Sequence, residues 1–291
     1  MYIANELKRV VNKDKLDEIR ESYVENLSQI IGKFFADKAM FSFEDFSLHF
    51  FDEYILQTNC HDEIFSTIYL EINQPLNYKL STKAKNSRLN KIQIPELYLT
   101  LADIKKGLCQ AFCAHYDTSN IVWMDKYGIC MKASLQMEDG NICEYYFRLI
   151  PCLTYYNQNN VRGIMYYSNG DIEIEYPDIA TNNFHIKNEQ TKDLYRQTVL
   201  IFKNILLKEK DIEQLPSEII ETMLYNVPNE LFVSDNKSDI INIINFIRNN
   251  PLKDFKTMDE EDFAFSSLYR SMSIYYCKNV LKIIEKYLTM R

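Results

Sequence analysis

The chain has 291 residues, of which 46% are hydrophobic and 25% are charged, the composition of a folded globular protein. This length allows one large domain or two modest ones, and the apolar content excludes both a disordered chain and a disulfide-stapled miniprotein. Lys and Arg number 33 against 41 Asp and Glu, a net charge of -8, which argues against bulk binding to DNA or RNA but leaves room for a local basic cleft.

Hydrophobic spacing in the first third of the chain predicts three helices and a strand. Apolar residues recur at three- and four-residue steps over residues 15–39 and, less regularly, over residues 42–54, which predicts an amphipathic helix at each place. Residues 65–72 are rich in β-forming side chains and predict a strand, whereas residues 95–116 predict a third helix. Residues 83–91 are polar and basic, which is typical of a surface loop.

The middle of the chain predicts two β-hairpins. Alternating apolar residues at 129–137 and a second run at 142–150 flank an Asp-Gly turn, and the second strand is predicted to stop at Pro151. A further hairpin is predicted at 163–176 around an Asn-Gly turn.

After Pro177 the pattern is helical. Helices are predicted, in chain order, at residues 194–205, 216–225, 238–249 and 259–288. Ser238 and Asp239 are expected to cap the third of these helices, and the acidic run at 259–262 is expected to cap the fourth. Strands before helices predict an α+β protein, with a core domain at residues 1–178 and a helical C-terminal domain at residues 179–291.

General searches for a chemical site find little. Seven cysteines lie in apolar segments without zinc-ligand spacing, which predicts free thiols in a reducing compartment. Four histidines form no pair with ligand spacing, and the chain has neither a serine nucleophile elbow nor a glycine-rich phosphate loop. A polar N-terminus and the lack of a run of ~18 apolar residues predict a cytoplasmic protein without a membrane span.

A series of short motifs in residues 147–232 is more informative. In chain order, they are Ile-Pro-Cys-Leu-Thr-Tyr at 150–155, Gly-Ile at 163–164, Glu-Tyr-Pro at 175–177, Lys187-Asn188 with Thr191, a helix at 195–203, Leu-Pro-Ser at 215–217, Glu221, and Leu-Tyr-Asn-Val-Pro-Asn at 224–229. In this order they resemble the bacterial CD-NTases, the cGAS/DncV-like nucleotidyltransferases. The resemblance implies the mixed β-sheet core of the polymerase-β superfamily with a helical C-terminal half.

The resemblance also implies a reaction, metal-assisted nucleotidyl transfer. In the family a Gly-Ser turn holds the donor triphosphate, while two carboxylates one residue apart on a strand and a third on a neighbouring strand hold two Mg²⁺ ions. The one-residue gap places both side chains on one face of the sheet. Lys187 and Lys203 stand where the resemblance implies basic residues near a nucleotide.

This sequence departs from the family at each catalytic position. Thr58 and Asn59 occupy the Gly-Ser turn, Thr67 and Tyr69 occupy the paired carboxylate positions, and Arg148 occupies the third. Threonine and tyrosine are poor Mg²⁺ ligands, and a guanidinium repels the ion. We therefore expect no catalytic residue and no metal.

Two glutamates leave an alternative open. A shifted register would make Tyr69 and Glu71 the pair and Glu144 the third ligand, although Glu144 lies two pleats, roughly 13 Å, along the strand from Arg148. Without a metal, we expect Arg148 to fill the site by pairing with Glu71 and lying along the Tyr69 ring.

The sequence thus predicts a catalytically degenerate CD-NTase-like pseudoenzyme that binds a nucleotide or a protein partner and needs no cofactor. Its candidate nucleotide-binding residues are Thr58, Asn59, Lys187 and Lys203. One alternative is an active nucleotidyltransferase that uses Mg²⁺ to make a nucleotide second messenger. Another is a structural subunit of a defence or toxin–antitoxin complex. The resemblance further implies a role in antiviral defence.

Overall fold

The computed structural model describes residues 13–37, 46–52, 64–72, 100–116, 122–136, 142–157, 159–168, 171–208, 217–261, 263–265 and 274–290. Within them the α-helices are α1 (Lys13–Asp37), α2 (Leu101–Tyr116), α3 (Pro177–Gln190), α4 (Leu194–Lys208), α5 (Ser217–Tyr225), α6 (Lys237–Asn249) and α7 (Ile274–Met290). The strands are β1 (Phe46–Asp52), β2 (Ile64–Ile72), β3 (Val122–Met124), β4 (Ile129–Gln136), β5 (Ile142–Tyr156), β6 (Arg162–Ser168) and β7 (Asp171–Glu175).

The chain divides into two compact units. Residues 14–51 and 65–175 form the first, which we call the sheet unit, and residues 176–291 make up most of the second, the helical unit. No helix among the described residues is both long enough and apolar enough to cross a membrane.

The strands of the described residues form one sheet in the order β1-β2-β5-β4-β3, with β6 paired to β5 and β7 to β6. The pairs from β3 to β7 are antiparallel. Tyr69 of β2 packs with Cys152 of β5, and Glu71 contacts Thr154, so contacts advance in the same direction along both strands. The sheet is therefore mixed, and the predicted α+β class is confirmed.

Side-chain alternation gives this sheet two different faces. The apolar face is buried at its centre, where Leu70, Met131 and Leu149 are 0% exposed. Helix α2 packs on the sheet, and α1 packs on α2 so closely that a Cβ on Gly107 would lie 2.6 Å from the Phe34 ring. The opposite face, called the polar face below, carries Tyr69, Glu71, Arg148, Cys152, Thr154, Arg162, Tyr166, Glu173 and Glu175.

Most predicted elements are confirmed, but the helix predicted at 42–54 is wrong, because residues 46–52 form strand β1. Phe46 and Phe50 are four residues apart, which suits a helix face, but they are also an even number apart, which suits one face of a strand. Pairing beside β2 decides between the two.

The predicted stop at Pro151 is also wrong, since β5 continues to Tyr156. Its pairing with β4 ends at Leu149 and its pairing with β6 begins at Cys152. Pro151 lies between these registers, so its missing N–H removes no hydrogen bond to either strand.

The predicted helix at 259–288 and two predicted caps need correction. The described helix is Ile274–Met290, and residues 259–261 instead lie in a turn in which Asp259 accepts hydrogen bonds from the Thr257 hydroxyl and the Glu261 N–H. Helix α6 is capped by Asn236, whose side chain accepts from the Asp239 N–H. An asparagine at this position satisfies an N–H that the helix leaves unpaired.

Candidate functional site

A buried carboxylate stands at the centre of the polar face. Glu71 of β2 is only 3% exposed. It receives a hydrogen bond from the Thr154 hydroxyl, and its Oε2 lies 2.5 Å from the Arg162 guanidinium and 2.7 Å from Nε2 of His49. A buried carboxylate with a guanidinium and an imidazole partner is neutralised internally.

A second carboxylate is held by two tyrosines. The Tyr69 hydroxyl donates to Glu175 at 2.7 Å, and the Tyr166 hydroxyl donates to the other oxygen of the same carboxylate. Tyr166 also lies 3.2 Å from Glu173. The phenol of Tyr69, where the resemblance implies a metal-binding carboxylate, therefore acts as a hydrogen-bond donor to Glu175.

Arg148, the residue at the third position implied by the resemblance, pairs with a carboxylate in the turn after β3. Arg148 lies 2.7 Å from Asp125, whose other oxygen accepts from the backbone N–H groups of Tyr127 and Gly128. Burial alone would raise the pKa of Asp125, but the Gly128 hydrogen bond and the Arg148 charge lower it. Residue 128 must be glycine, because a Cβ there would lie 2.3 Å from the Leu149 carbonyl oxygen.

The expected pairing of Arg148 with Glu71 is therefore wrong. Arg148 binds Asp125 and lies 5.2 Å from the Tyr127 ring, whereas Arg162 supplies the guanidinium beside Glu71. The cause is the turn after β3, which presents a carboxylate directly to Arg148 and was not part of the sequence prediction.

These residues do not fit a magnesium site. Mg²⁺ requires several oxygen ligands in octahedral geometry, but Thr67, Tyr69 and Arg148 provide no carboxylate at the three positions that the resemblance implies. Glu71 already faces two nitrogen donors. Among the described residues, no group of three His, Cys, Asp or Glu side chains is placed to hold a metal ion.

The remaining candidate positions lie elsewhere. Thr58 and Asn59 fall outside the described residues. Glu144 lies on β5 opposite Ser134.

The cysteines are not part of the candidate site. Cys152 of β5 is fully buried, and burial together with the charges of Glu71 and Glu175 raises the pKa of its thiol. Among the side chains that the structure describes, Cys109, Cys113, Cys130, Cys152 and Cys277 are free thiols, as predicted.

Both predicted nucleotide-binding lysines lie inside the helical unit. Nζ of Lys203 is 2.7 Å from Glu221, with both side chains only 5% exposed. Nζ of Lys187 donates to the Val227 carbonyl at 2.7 Å and to Asn229 at 2.9 Å. These contacts stabilise the helical unit, whereas nucleotide binding by either lysine stays a prediction.

The environment of Lys187 also changes its proton affinity. Its ammonium lies within 5.2–5.7 Å of the ring centres of Tyr195, Tyr225 and Phe232. Burial lowers the pKa of Lys187 from 10.5 to about 8, and the negative charge of Glu230 offsets only part of this effect. Lys187 is thus a buried cation held by backbone and ring contacts.

Four residues that complete the candidate site were not predicted from the sequence. They are His49, Asp125, Arg162 and Glu175. Arg162 directly precedes the family motif at 163–164, and Glu175 is the first residue of the motif at 175–177, so motif order located both residues although it gave neither of them a role. Asp125 with Gly128 three residues later is a turn signature that could have located its own loop.

Comparison with known proteins finds a family model that is similar to the C-terminal part of the chain. The model of the cGAS/DncV-like nucleotidyltransferase C-terminal helical domain matches residues 182–289, which contain most of the helical unit.

Two curated relatives match part of the chain. The cyclic UMP-AMP synthase of Rhodothermus marinus is 28% identical over 116 residues, which cover 38% of this chain and 40% of the relative. The cyclic nucleotide synthase CdnE01 of Staphylococcus haemolyticus is 33% identical over 125 residues, 37% of this chain and 42% of the relative. The matched segments thus span less than half the length of either relative.

The solved structures extend the likeness to the whole fold. The Rhodothermus marinus CdnE c-UMP-AMP synthase, solved with Apcpp and Upnpp, superposes with a TM-score of 0.69 at 17% identity, covering 98% of this chain and 95% of that one. The sheet unit therefore has the nucleotidyltransferase fold that the resemblance implied. Together with the matched C-terminal domain and the two curated relatives, this fold confirms the predicted resemblance of the chain to the CD-NTases, the cGAS/DncV-like nucleotidyltransferases.

Proposed function

We propose that this protein is a catalytically inactive CD-NTase that binds a nucleotide without a metal ion. One observation carries the proposal: Glu71, two residues after Tyr69 on β2 and on the same face, is buried against Arg162 and His49. In an active site of this class, carboxylates stay available to metal ions that activate the attacking hydroxyl.

The rest of the polar face supports the same interpretation. Tyr69 and Arg148 are both engaged with protein carboxylates, Glu175 and Asp125. Binding two Mg²⁺ ions here would require breaking these contacts and bringing the cations close to two guanidinium groups. The network is thus more compatible with a permanently metal-free state.

Nucleotide binding is proposed because of the relatives. Both matched proteins are named as nucleotide synthases, and the superposed structure contains the nucleotide analogues Apcpp and Upnpp. A fold that has lost its metal ligands can keep surfaces that recognise bases and phosphates, since these contacts use other side chains.

The second candidate, an active cyclic nucleotide synthase, is favoured by the names of the same two relatives. In this chain it would depend on Glu71 and Glu144, through the shifted register described above.

Incubation with radiolabelled ATP, GTP, CTP and UTP separates the two candidates. With Mg²⁺ or Mn²⁺ present, we expect chromatography to detect no product, because the family's three metal-binding positions hold Thr67, Tyr69 and Arg148. The Rhodothermus marinus synthase, assayed in parallel, controls for the nucleotides and metals. A product that the wild type forms and Glu71→Gln does not would overturn the proposal in favour of the active synthase.

A further inference from the structure

The single tryptophan of the chain lies on the edge of the sheet and is partly open to solvent. Trp123 of β3 is 40% exposed, although tryptophan side chains are usually well buried. The register pairs it with Cys130, which is in turn opposite Arg148. Trp123 therefore lies on the polar face, at the end of the sheet occupied by β3.

A tyrosine and a lysine adjoin this tryptophan. Lys132 and Tyr146 are opposite each other on β4 and β5, on the same face as Arg148. The Trp123 and Tyr146 rings meet edge to face, with centres 6.2 Å apart and planes at 74°. Nζ of Lys132 lies 5.6 Å from the centre of the Tyr146 ring.

A third aromatic ring, Tyr127, lies beside the Asp125 turn and contacts two cations. Nζ of Lys126 lies 4.3 Å from the centre of the Tyr127 ring, and the Arg148 guanidinium carbon lies 5.2 Å from it. Lys126 is exposed. We call Trp123, Lys126, Tyr127, Lys132 and Tyr146 the aromatic–cationic edge.

The chemistry of this edge identifies the kind of ligand that it suits. Flat aromatic rings stack on nucleobases of any sequence, and nearby ammonium groups attract phosphate. A long nucleic acid is disfavoured, because the chain carries a net charge of -8. A single nucleotide brings one base and a local negative charge, and purines offer the larger stacking surface.

We infer that the aromatic–cationic edge binds a purine nucleotide, with the base on Trp123 and the phosphates beside Lys132. This inference rests on the proposed nucleotide-binding function. It locates the nucleotide at the β3 edge of the sheet, away from Glu71 and its partners Arg162 and His49. No metal takes part, because the positive charge comes from protein side chains.

Because Trp123 is the only tryptophan, its fluorescence reports directly on this site. We expect ATP or GTP, added with excess EDTA, to quench its emission in a saturable way, and calorimetry to give the same Kd. Trp123→Ala should weaken binding measured by calorimetry about tenfold or more, whereas Trp123→Phe, which keeps a stacking ring, should weaken it about threefold. Lys132→Met should weaken binding and lower its dependence on salt concentration.

Tyr275 of α7 provides a matched control. It is 71% exposed and forms a similar edge-to-face pair with Tyr276, so Tyr275→Ala should leave nucleotide affinity unchanged. Thermal unfolding of each variant confirms that it is folded. If Trp123→Ala does not fold, Trp123→Phe and Lys132→Met still test the site.

The possible failures are distinguishable. Nucleotide binding of unchanged affinity in Trp123→Ala and Lys132→Met would overturn this location and leave the proposed function intact. Binding of neither ATP nor GTP by the wild type would overturn both. Quenching by a short single-stranded DNA but by no mononucleotide would also contradict the inferred ligand.

Discussion

Lys203→Met is expected to destabilise the helical unit by about 3–5 kcal/mol, the usual cost of removing one partner of a buried ion pair. Lys203 and Glu221 are each only 5% exposed, with Nζ and Oε1 2.7 Å apart. Removing the ammonium leaves the Glu221 carboxylate buried without its cation. Denaturant unfolding, followed by the circular dichroism of the helices, measures the loss.

Two variants make this test specific. The double variant Lys203→Met with Glu221→Leu should recover most of the lost stability, because it removes the stranded charge. Arg248→Met breaks a pair with Glu285 whose side chains are each 34% exposed, and it should cost under about 1 kcal/mol. A Lys203→Met effect as small as that of Arg248→Met would show that the Lys203 pair is not buried in solution.

Arg162→Met is expected to have the second-largest effect, a loss of about 2–3 kcal/mol of stability in the sheet unit. Glu71 is 3% exposed, so removing its guanidinium partner leaves a carboxylate with Thr154 and the imidazole of His49. We expect a smaller loss in the free energy of unfolding than for the Lys203 pair, because the Arg162 side chain is 37% exposed. Urea unfolding of the full chain at pH 7 provides the measurement.

A substitution of the other partner of the pair, Glu71, provides the control. Glu71→Gln leaves the half-exposed Arg162 solvated, so it should cost less than Arg162→Met, and the double variant should resemble Glu71→Gln. Equal losses in the two single variants would contradict the assignment of Arg162 as the counter-ion of Glu71.

The sequence was sufficient for the elements whose local pattern is unambiguous. Residues 65–72 are rich in β-branched and aromatic side chains, and they lie in β2. Residues 46–52 fit either period, and their pairing with β2 comes from distant residues. Strand β3 has three residues, too few to show any period.

The candidate site was predictable in its positions but not in its contacts. Tyr69 and Arg148 were located from motif order, because motifs are local in sequence. Their partners are 106 and 23 residues away, at Glu175 and Asp125, and Arg162 is 91 residues from Glu71. Such pairs form only once the sheet brings the strands together, so no local pattern of residues reports them.

Titration of Mn²⁺ into the 291-residue chain, with the free ion followed by electron paramagnetic resonance, tests the central claim most directly. If Arg162, His49 and Tyr69 occupy the contacts that a metal ion would need, the wild type should leave the free Mn²⁺ signal unchanged at micromolar concentrations. When ATP is present, the signal should fall only by the amount that ATP binds without the protein. Saturable Mn²⁺ binding by the wild type that is lost in Glu71→Gln would contradict the account, since it would show that Glu71 still serves as a metal ligand.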